Sequence, residues 1–126
     1  MSLMQSVFLL GRLLFGGFFL LMGSMHFIKS EMLTGYAASK GVPMPKYAVL
    51  VSGLMAVFGG LGIITGFLVQ WALLSLVLFL VPVTLMMHAF WKESDMTKRM
   101  PDFWNFTKNM ALLGAVLIFM AMLNPF

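Results

Sequence analysis

The sequence predicts an all-α integral membrane protein, a four-helix bundle with a short amphipathic helix in its first long loop. Three observations predict this class. Apolar residues make up 61% of the chain and the mean hydropathy is +0.99, whereas soluble proteins are about 45–50% apolar. Four apolar segments are each about 20 residues long, enough for a helix to cross a hydrocarbon layer of roughly 30 Å. The charged residues collect between these segments, so we treat residues 1–126 as one transmembrane domain.

The four spanning helices are predicted at about residues 5–27, 47–68, 71–91 and 104–123. Helices 1 and 2 each carry a stripe of residues at three- to four-residue spacing. The stripes are Arg12, Gly16, Phe19, Gly23 and His26, and Ser52, Ala56, Gly59, Ile63 and Gly66. Small residues along one face let membrane helices approach closely. The Gly62-x-x-x-Gly66 motif in helix 2 is better explained by packing within the bundle than by a homodimer, although a homo-oligomer remains a candidate assembly.

The first long loop predicts a short helix of its own. Ser30 is a candidate N-cap, Glu31 opens a helix-compatible run that reaches Lys40, and Gly41 ends it. In the third predicted helix, Pro82 should produce a kink. The tryptophans at positions 71, 91 and 104 lie at predicted helix ends, as expected of side chains at a membrane–water interface.

The charges predict the topology. Four crossings place both long loops on one face, and that face carries seven of the eight Lys and Arg residues; the eighth is Arg12. The positive-inside rule therefore predicts cytoplasmic loops and termini on the other side of the membrane. The charged face is a candidate docking surface for a protein partner, and its cations are Lys29, Lys40, Lys92, Lys98 and Arg99.

Composition excludes several classes of function. The chain has no cysteine, so it offers no thiol–disulfide chemistry, no Cys-ligated metal and no covalent haem attachment. Lys and Arg at helix ends are topology signals and contacts for lipid headgroups, so the basic pI of about 9.8 does not predict nucleic-acid binding. No catalytic Ser/His/Asp order, phosphate loop or metal-binding set is present, and the catalytic residues, if any, are unknown.

His26 and His88 are the only histidines and lie at equivalent depths near the ends of helices 1 and 3. Two neutral imidazoles on facing helices are what a b-type haem or a metal requires. The simpler interpretation is that each histidine closes its helix at the polar boundary. We favour this interpretation and expect neither haem nor metal.

Four further side chains are candidates for a ligand site. Arg12 is a charge within the membrane, and its place on the stripe predicts that it faces the bundle. It could hold a quinone carbonyl or a lipid headgroup, or it could bind backbone carbonyls. Lys108 and Asn105 at the start of helix 4 and Tyr36 in the first loop could surround a quinone, although Lys108 is also explained by reaching towards the interface.

The chain resembles the DoxX family of small bacterial membrane proteins over nearly its whole length. The most specific matches are Gly35-Tyr36-Ala37-Ala38-Ser39-Lys40-Gly41-Val42-Pro43 and His88-Ala89-Phe90-Trp91. Weaker ones are residues 10–16, 53–66 and 106–114. The resemblance implies a four-helix bundle in a bacterial inner membrane and an association with quinone-linked sulfur oxidation or oxidative-stress complexes. A carboxylate that the family pattern implies in the middle of helix 2 is replaced here by Ala56.

These observations predict a membrane subunit or anchor of a redox complex, not catalytic alone, with a quinone as candidate ligand. One alternative is a non-redox scaffold or chaperone for partner proteins, and another is a small b-type cytochrome. Copurification of partners and extraction of any bound cofactor would separate the three.

Overall fold

A computed structural model describes residues 1–123, which are almost entirely helical and contain no strand. The helices are α1 (Leu3–Ile28), α2 (Ser30–Ser39), α3 (Pro45–Thr65), α4 (Val69–Met87) and α5 (Met96–Met122), and one turn of 3₁₀ helix covers Phe90–Lys92. In this part of the chain, α1, α3, α5 and the segment 69–92 are long and apolar enough to cross a membrane. The predicted fold class is therefore confirmed, with α2 as the short helix of the first loop.

Two helix starts differ from the sequence-based prediction. Helix α5 begins at Met96 rather than near Trp104, because Asp95 precedes it in extended conformation and accepts a hydrogen bond from the Thr97 amide at 3.0 Å. Ser30 is the first residue of α2 rather than its cap, and Lys29 alone separates α1 from α2. The predicted glycine stop is present: Gly41 has a φ of 78°, which favours glycine.

Helices α1 and α3 pack backbone against backbone. A Cβ atom added to Gly16 would lie 2.8 Å from the Gly60 carbonyl oxygen, and one added to Gly23 would lie 2.8 Å from that of Gly53. A side chain at either position would force the helices apart. The small-residue stripe predicted on the first helix is thus the contact surface of α1.

The opposite side of α3 receives α4. A Cβ atom on Gly59 would overlap the side chain of Leu76, and one on Gly62 would overlap Ala72. Packing within the bundle therefore accounts for Gly62 without a second copy of the chain.

The core lies between the spanning helices and includes Phe19, Leu73, Leu76, Leu80 and Val116, all less than 2% exposed. Helix α5 packs on α4, and its aromatic side chains reach α1, where the rings of Phe15 and Phe119 are 5.5 Å apart.

Candidate functional site

A cavity of about 360 Å³ lies between α2, α3 and α4, at the end of the bundle nearest the two long loops. Its walls are almost entirely apolar, and the polar side chains that line it are His26, Tyr36, Ser52 and His88. Both histidines of the chain therefore face one space, although they come from different helices.

His26 is held by its own helix. Its Nδ1 lies 2.7 Å from the carbonyl oxygen of Met22, so Nδ1 carries the hydrogen and donates it. In the neutral ring this leaves Nε2 with a free lone pair, able to accept a hydrogen bond from a ligand. The ring also meets Phe79 edge to face, with 5.8 Å between centroids. Two contacts thus fix the orientation of His26.

His88 lies just beyond the last residue of α4. Its Nδ1 is 3.7 Å from a carboxylate oxygen of Asp102 and, among the residues that the structure describes, has no hydrogen-bond partner. The buried hydroxyl of Thr84, one turn earlier in α4, also lacks a partner in that part of the chain. Buried polar groups without partners are uncommon and mark sites where water or a ligand completes the bonding.

Asp102 joins the elements around the cavity. It lies in the second turn of α5, is 3% exposed, and forms an ion pair of 2.6 Å with Nζ of Lys40 at the end of α2. Burial alone would lower the pKa of Lys40, but the hydrogen bond to Asp102 and neighbouring negative groups outweigh it, and the pKa is raised above its ordinary value of 10.5. The carboxylate thus connects α2, α4 and α5.

The model of the DoxX family matches residues 7–89. The chain belongs to the DoxX family. The matched region contains most of α1, all of α2 to α4 and both histidines, but ends before α5, so Asp102 and Lys108 lie outside it. No curated protein and no solved structure matches the chain.

In this DoxX protein Arg12 lies far from the cavity, at the opposite end of α3. Its Nε donates to the carbonyl oxygen of Ile63 at 2.9 Å, and its Nη2 donates to that of Ile64 at 2.7 Å. These carbonyls belong to the last turn of α3, where a helix lacks internal donors and a positive charge is favourable. Arg12 does face the bundle, and it binds backbone carbonyls there.

The structure places the remaining predicted residues differently. Tyr36 lines the cavity, and the Lys40 ammonium lies 5.7 Å from its ring centroid. Lys108 and Asn105 are not among the cavity residues. The Lys108 ammonium is exposed, lies 3.4 Å from the Asn105 side-chain oxygen and covers the ring of Phe18. Of the six predicted site residues, the cavity brings together His26, His88 and Tyr36.

Asp102 is the residue that sequence reasoning missed as a site candidate, because it was assigned to a solvent-exposed loop. A signal was present: the buried residues of α5 are Asp102, Asn109 and Val116, which recur at every seventh position and share one helix face. Asp102 lies seven residues before Asn109 on this face, so the spacing in the sequence would have placed Asp102 in the bundle.

The predicted docking face remains accessible at four of its five cations. Lys29, Lys92, Lys98 and Arg99 are exposed, whereas Lys40 is engaged by Asp102. The Arg99 guanidinium also lies over the ring of Phe90, at 5.8 Å from its centroid. Lys46 at the start of α3 and Lys108 in α5 are exposed as well, so the exposed cations of this face are spread over the ends of α1, α3 and α5.

Proposed function

We propose that this DoxX protein is a membrane subunit of a redox complex that binds a quinone in the His26–His88 cavity. The observation that carries the proposal is the convergence of the only two histidines on one apolar cavity, from α1 and from α4. A quinone is a largely apolar ring with two oxygen atoms. It therefore fits a site with apolar walls and a few hydrogen-bonding groups.

Size and chemistry support this ligand class. The volume of about 360 Å³ lies within the range of small-molecule pockets, roughly 300–1,000 Å³. The methionines in the wall, Met55, Met86 and Met87, have polarizable side chains that make favourable contacts with aromatic rings. A hydroquinone hydroxyl could donate to Nε2 of His26, since Nδ1 is already engaged by Met22.

We propose that the electrons are exchanged with a flavin or iron–sulfur protein docked on the charged face. The exposed cations Lys29, Lys92, Lys98 and Arg99 favour an acidic partner surface. The cavity lies at the same end of the bundle, which shortens the distance to such a partner. We further propose that this face is cytoplasmic and that the membrane is the bacterial inner membrane, since seven of eight Lys and Arg residues belong to it.

The test is a titration of purified protein in lipid nanodiscs with a short-chain quinone, followed by calorimetry. We expect His26→Leu and His88→Leu each to weaken binding by tenfold or more. Thr107→Val is the matched control, because its hydroxyl binds the Trp104 carbonyl and the residue does not line the cavity. Absence of binding to the parent protein, or equal binding to all variants, would contradict the proposal.

The same preparation separates the alternatives. A haem absorption band that is present in the parent protein and absent from both histidine variants would support the cytochrome instead. Copurification of a partner protein without any quinone binding would support a scaffold. We expect no haem spectrum, and we expect quinone binding whether or not a partner protein copurifies.

A further inference from the structure

We propose that His88 and Asp102 form a proton-transfer pair for the hydroquinone form of the ligand, in which Lys40 holds the carboxylate in position. This inference rests on the quinone site proposed above and assigns the route of its proton. His88 would touch the ligand, whereas Asp102 and Lys40 would act through it as positioning residues.

The geometry places His88 between the cavity and the carboxylate. His88 lines the cavity, and its Nδ1 lies 3.7 Å from Asp102 Oδ1. This distance is longer than a hydrogen bond, but bonds at such sites are often long before a ligand binds and shorten when it does. A hydrogen on Nδ1 facing Asp102 would leave Nε2, on the other side of the ring, as the acceptor.

The carboxylate is suited to stabilise the charge that this transfer creates. Asp102 is almost fully buried, so an imidazolium beside it would be attracted with little screening by water. Its other oxygen is held by Lys40, whose side chain is 23% exposed and reaches the aqueous boundary. The ion pair therefore links the cavity wall to the charged face.

The chemical step balances with the proposed partner. Oxidation of the hydroquinone breaks two O–H bonds and releases two electrons to the docked protein, either both to a flavin or one after the other through an iron–sulfur centre. One proton passes to Nε2 of His88, where Asp102 stabilises the imidazolium. The second passes to Nε2 of His26, whose Nδ1 hydrogen is held by Met22 O. Reduction of the quinone uses the same groups in reverse.

Several charged or titratable groups act on His88 and must be considered in any pH experiment. Asp102 and Lys108 approach it from α5, and Lys40 approaches from the end of α2. His26 and Tyr36 share the cavity with it. Because His26 can also titrate, the measurement is made both in the parent and in His26→Gln, which leaves His88 as the only histidine.

The experiment measures the affinity of a short-chain hydroquinone between about pH 5 and pH 8. A protonated His88 has no lone pair on Nε2, so we expect affinity to fall as pH decreases. Asp102→Asn removes the charge that favours the imidazolium and should move this fall to lower pH by about one unit. Lys40→Gln removes a positive charge that repels the protonated His88, and it should move the fall in affinity to higher pH. Glu31→Gln, an exposed carboxylate on α2, should leave it unchanged.

The outcomes separate the two proposals. Opposite shifts in Asp102→Asn and Lys40→Gln would support the proton-transfer pair. Two results would overturn the pair and leave the quinone site in place. One is hydroquinone binding without pH dependence in His26→Gln. The other is the same pH dependence in Asp102→Asn and in Lys40→Gln. If Asp102→Asn does not fold, the test rests on Lys40→Gln, in which a shift of the fall in affinity to higher pH supports the pair and the absence of a shift overturns it. Absence of binding to the parent protein would remove the quinone site and the pair together.

Discussion

The guanidinium of Arg12 forms two hydrogen bonds at the end of another helix, to the carbonyl oxygens of Ile63 and Ile64. Gly66, the residue that ends α3, has a φ of 77°, and a Cβ atom there would lie 3.0 Å from Nη2 of Arg12. One glycine thus provides both the turn and the space for the arginine. The hydrogen bonds of this intramembrane charge go to backbone carbonyls, and the Phe8 ring lies against the guanidinium, with its centroid 5.6 Å from Cζ.

At the residue scale, we expect Arg12→Leu to lower the free energy of unfolding by about 1–3 kcal/mol, because two carbonyls lose a charged donor. Transfer of the side chain alone predicts the opposite sign, a gain of about 2.5–3.5 kcal/mol on insertion. Thermal unfolding in detergent decides between them, with Arg99→Leu on the exposed face as control. Stability equal to that of the parent would show that these hydrogen bonds contribute little.

The ion pair between Lys40 and Asp102 predicts a pH dependence. The pKa of Lys40 is raised in the folded protein, so its stabilisation is complete below the ordinary value of 10.5 and is lost as pH rises through the folded pKa. We expect Lys40→Met to unfold at lower temperature than the parent at pH 8, and the difference to shrink above about pH 10.5. Lys46→Met, an exposed lysine nearby, should not show this gap. A constant gap at all pH values would exclude the charge as its cause.

At the scale of helices, α1 and α3 depend on the absence of side chains at their contact. Gly16 and Gly17 are adjacent in sequence but differ in surroundings: a Cβ on Gly16 would lie 2.8 Å from both the Gly60 oxygen and Ile64 Cγ1, whereas one on Gly17 would meet nothing within 4 Å. Substitution of Gly17 therefore tests helix propensity alone, whereas substitution of Gly16 also tests the packing of α1 against α3.

We expect Gly16→Ala to destabilise the protein by about 1–3 kcal/mol, because the two helices must move apart. Gly17→Ala should instead stabilise it by about 0.5–1 kcal/mol, since alanine is the better helix former. Thermal unfolding of both variants in the same detergent checks the difference. If both substitutions have the same sign, the close approach of α1 and α3 is not what limits stability.

The helices and their contact faces were largely predictable, because apolar length and small-residue spacing are local properties of the sequence. The stripe with Gly16 and Gly23 is one example, and the position of His26 and His88 near the same end of the bundle is another. The partner of Arg12 was not predictable, since it depends on which carbonyls lie opposite after packing. Asp102 was missed because a charge next to Pro101 resembles a loop, and the early start of α5 depends on the cap at Asp95.

At the scale of the whole molecule, charge and cavity lie at the same end. The exposed lysines and the ion pair of Asp102 lie at the end of the bundle that has the two long connections, while the short connection between α3 and α4 at the other end contains Phe67 and Leu68, both exposed and apolar. The protein therefore has one charged end, which contains the cavity, and one apolar end.

The orientation can be tested with single cysteines, because the natural chain has none. Ser94→Cys places a thiol on the charged face, and Phe67→Cys places one on the opposite face; both positions are exposed. We expect a membrane-impermeant maleimide to label Phe67→Cys in intact cells and to label Ser94→Cys only after permeabilisation. The reverse pattern would move the charged face, and with it the proposed partner, outside the cytoplasm.

The contact between Arg12 and α3 also affects the order in which the helices enter the membrane during synthesis. The carbonyls that receive the guanidinium are 51 and 52 residues further along the chain. At a synthesis rate of about 5–20 residues per second, Arg12 is made roughly 3–10 seconds before they are. During that interval the first helix carries an unsatisfied positive charge that opposes its release into lipid. We therefore expect α1 to leave the insertion machinery together with α3.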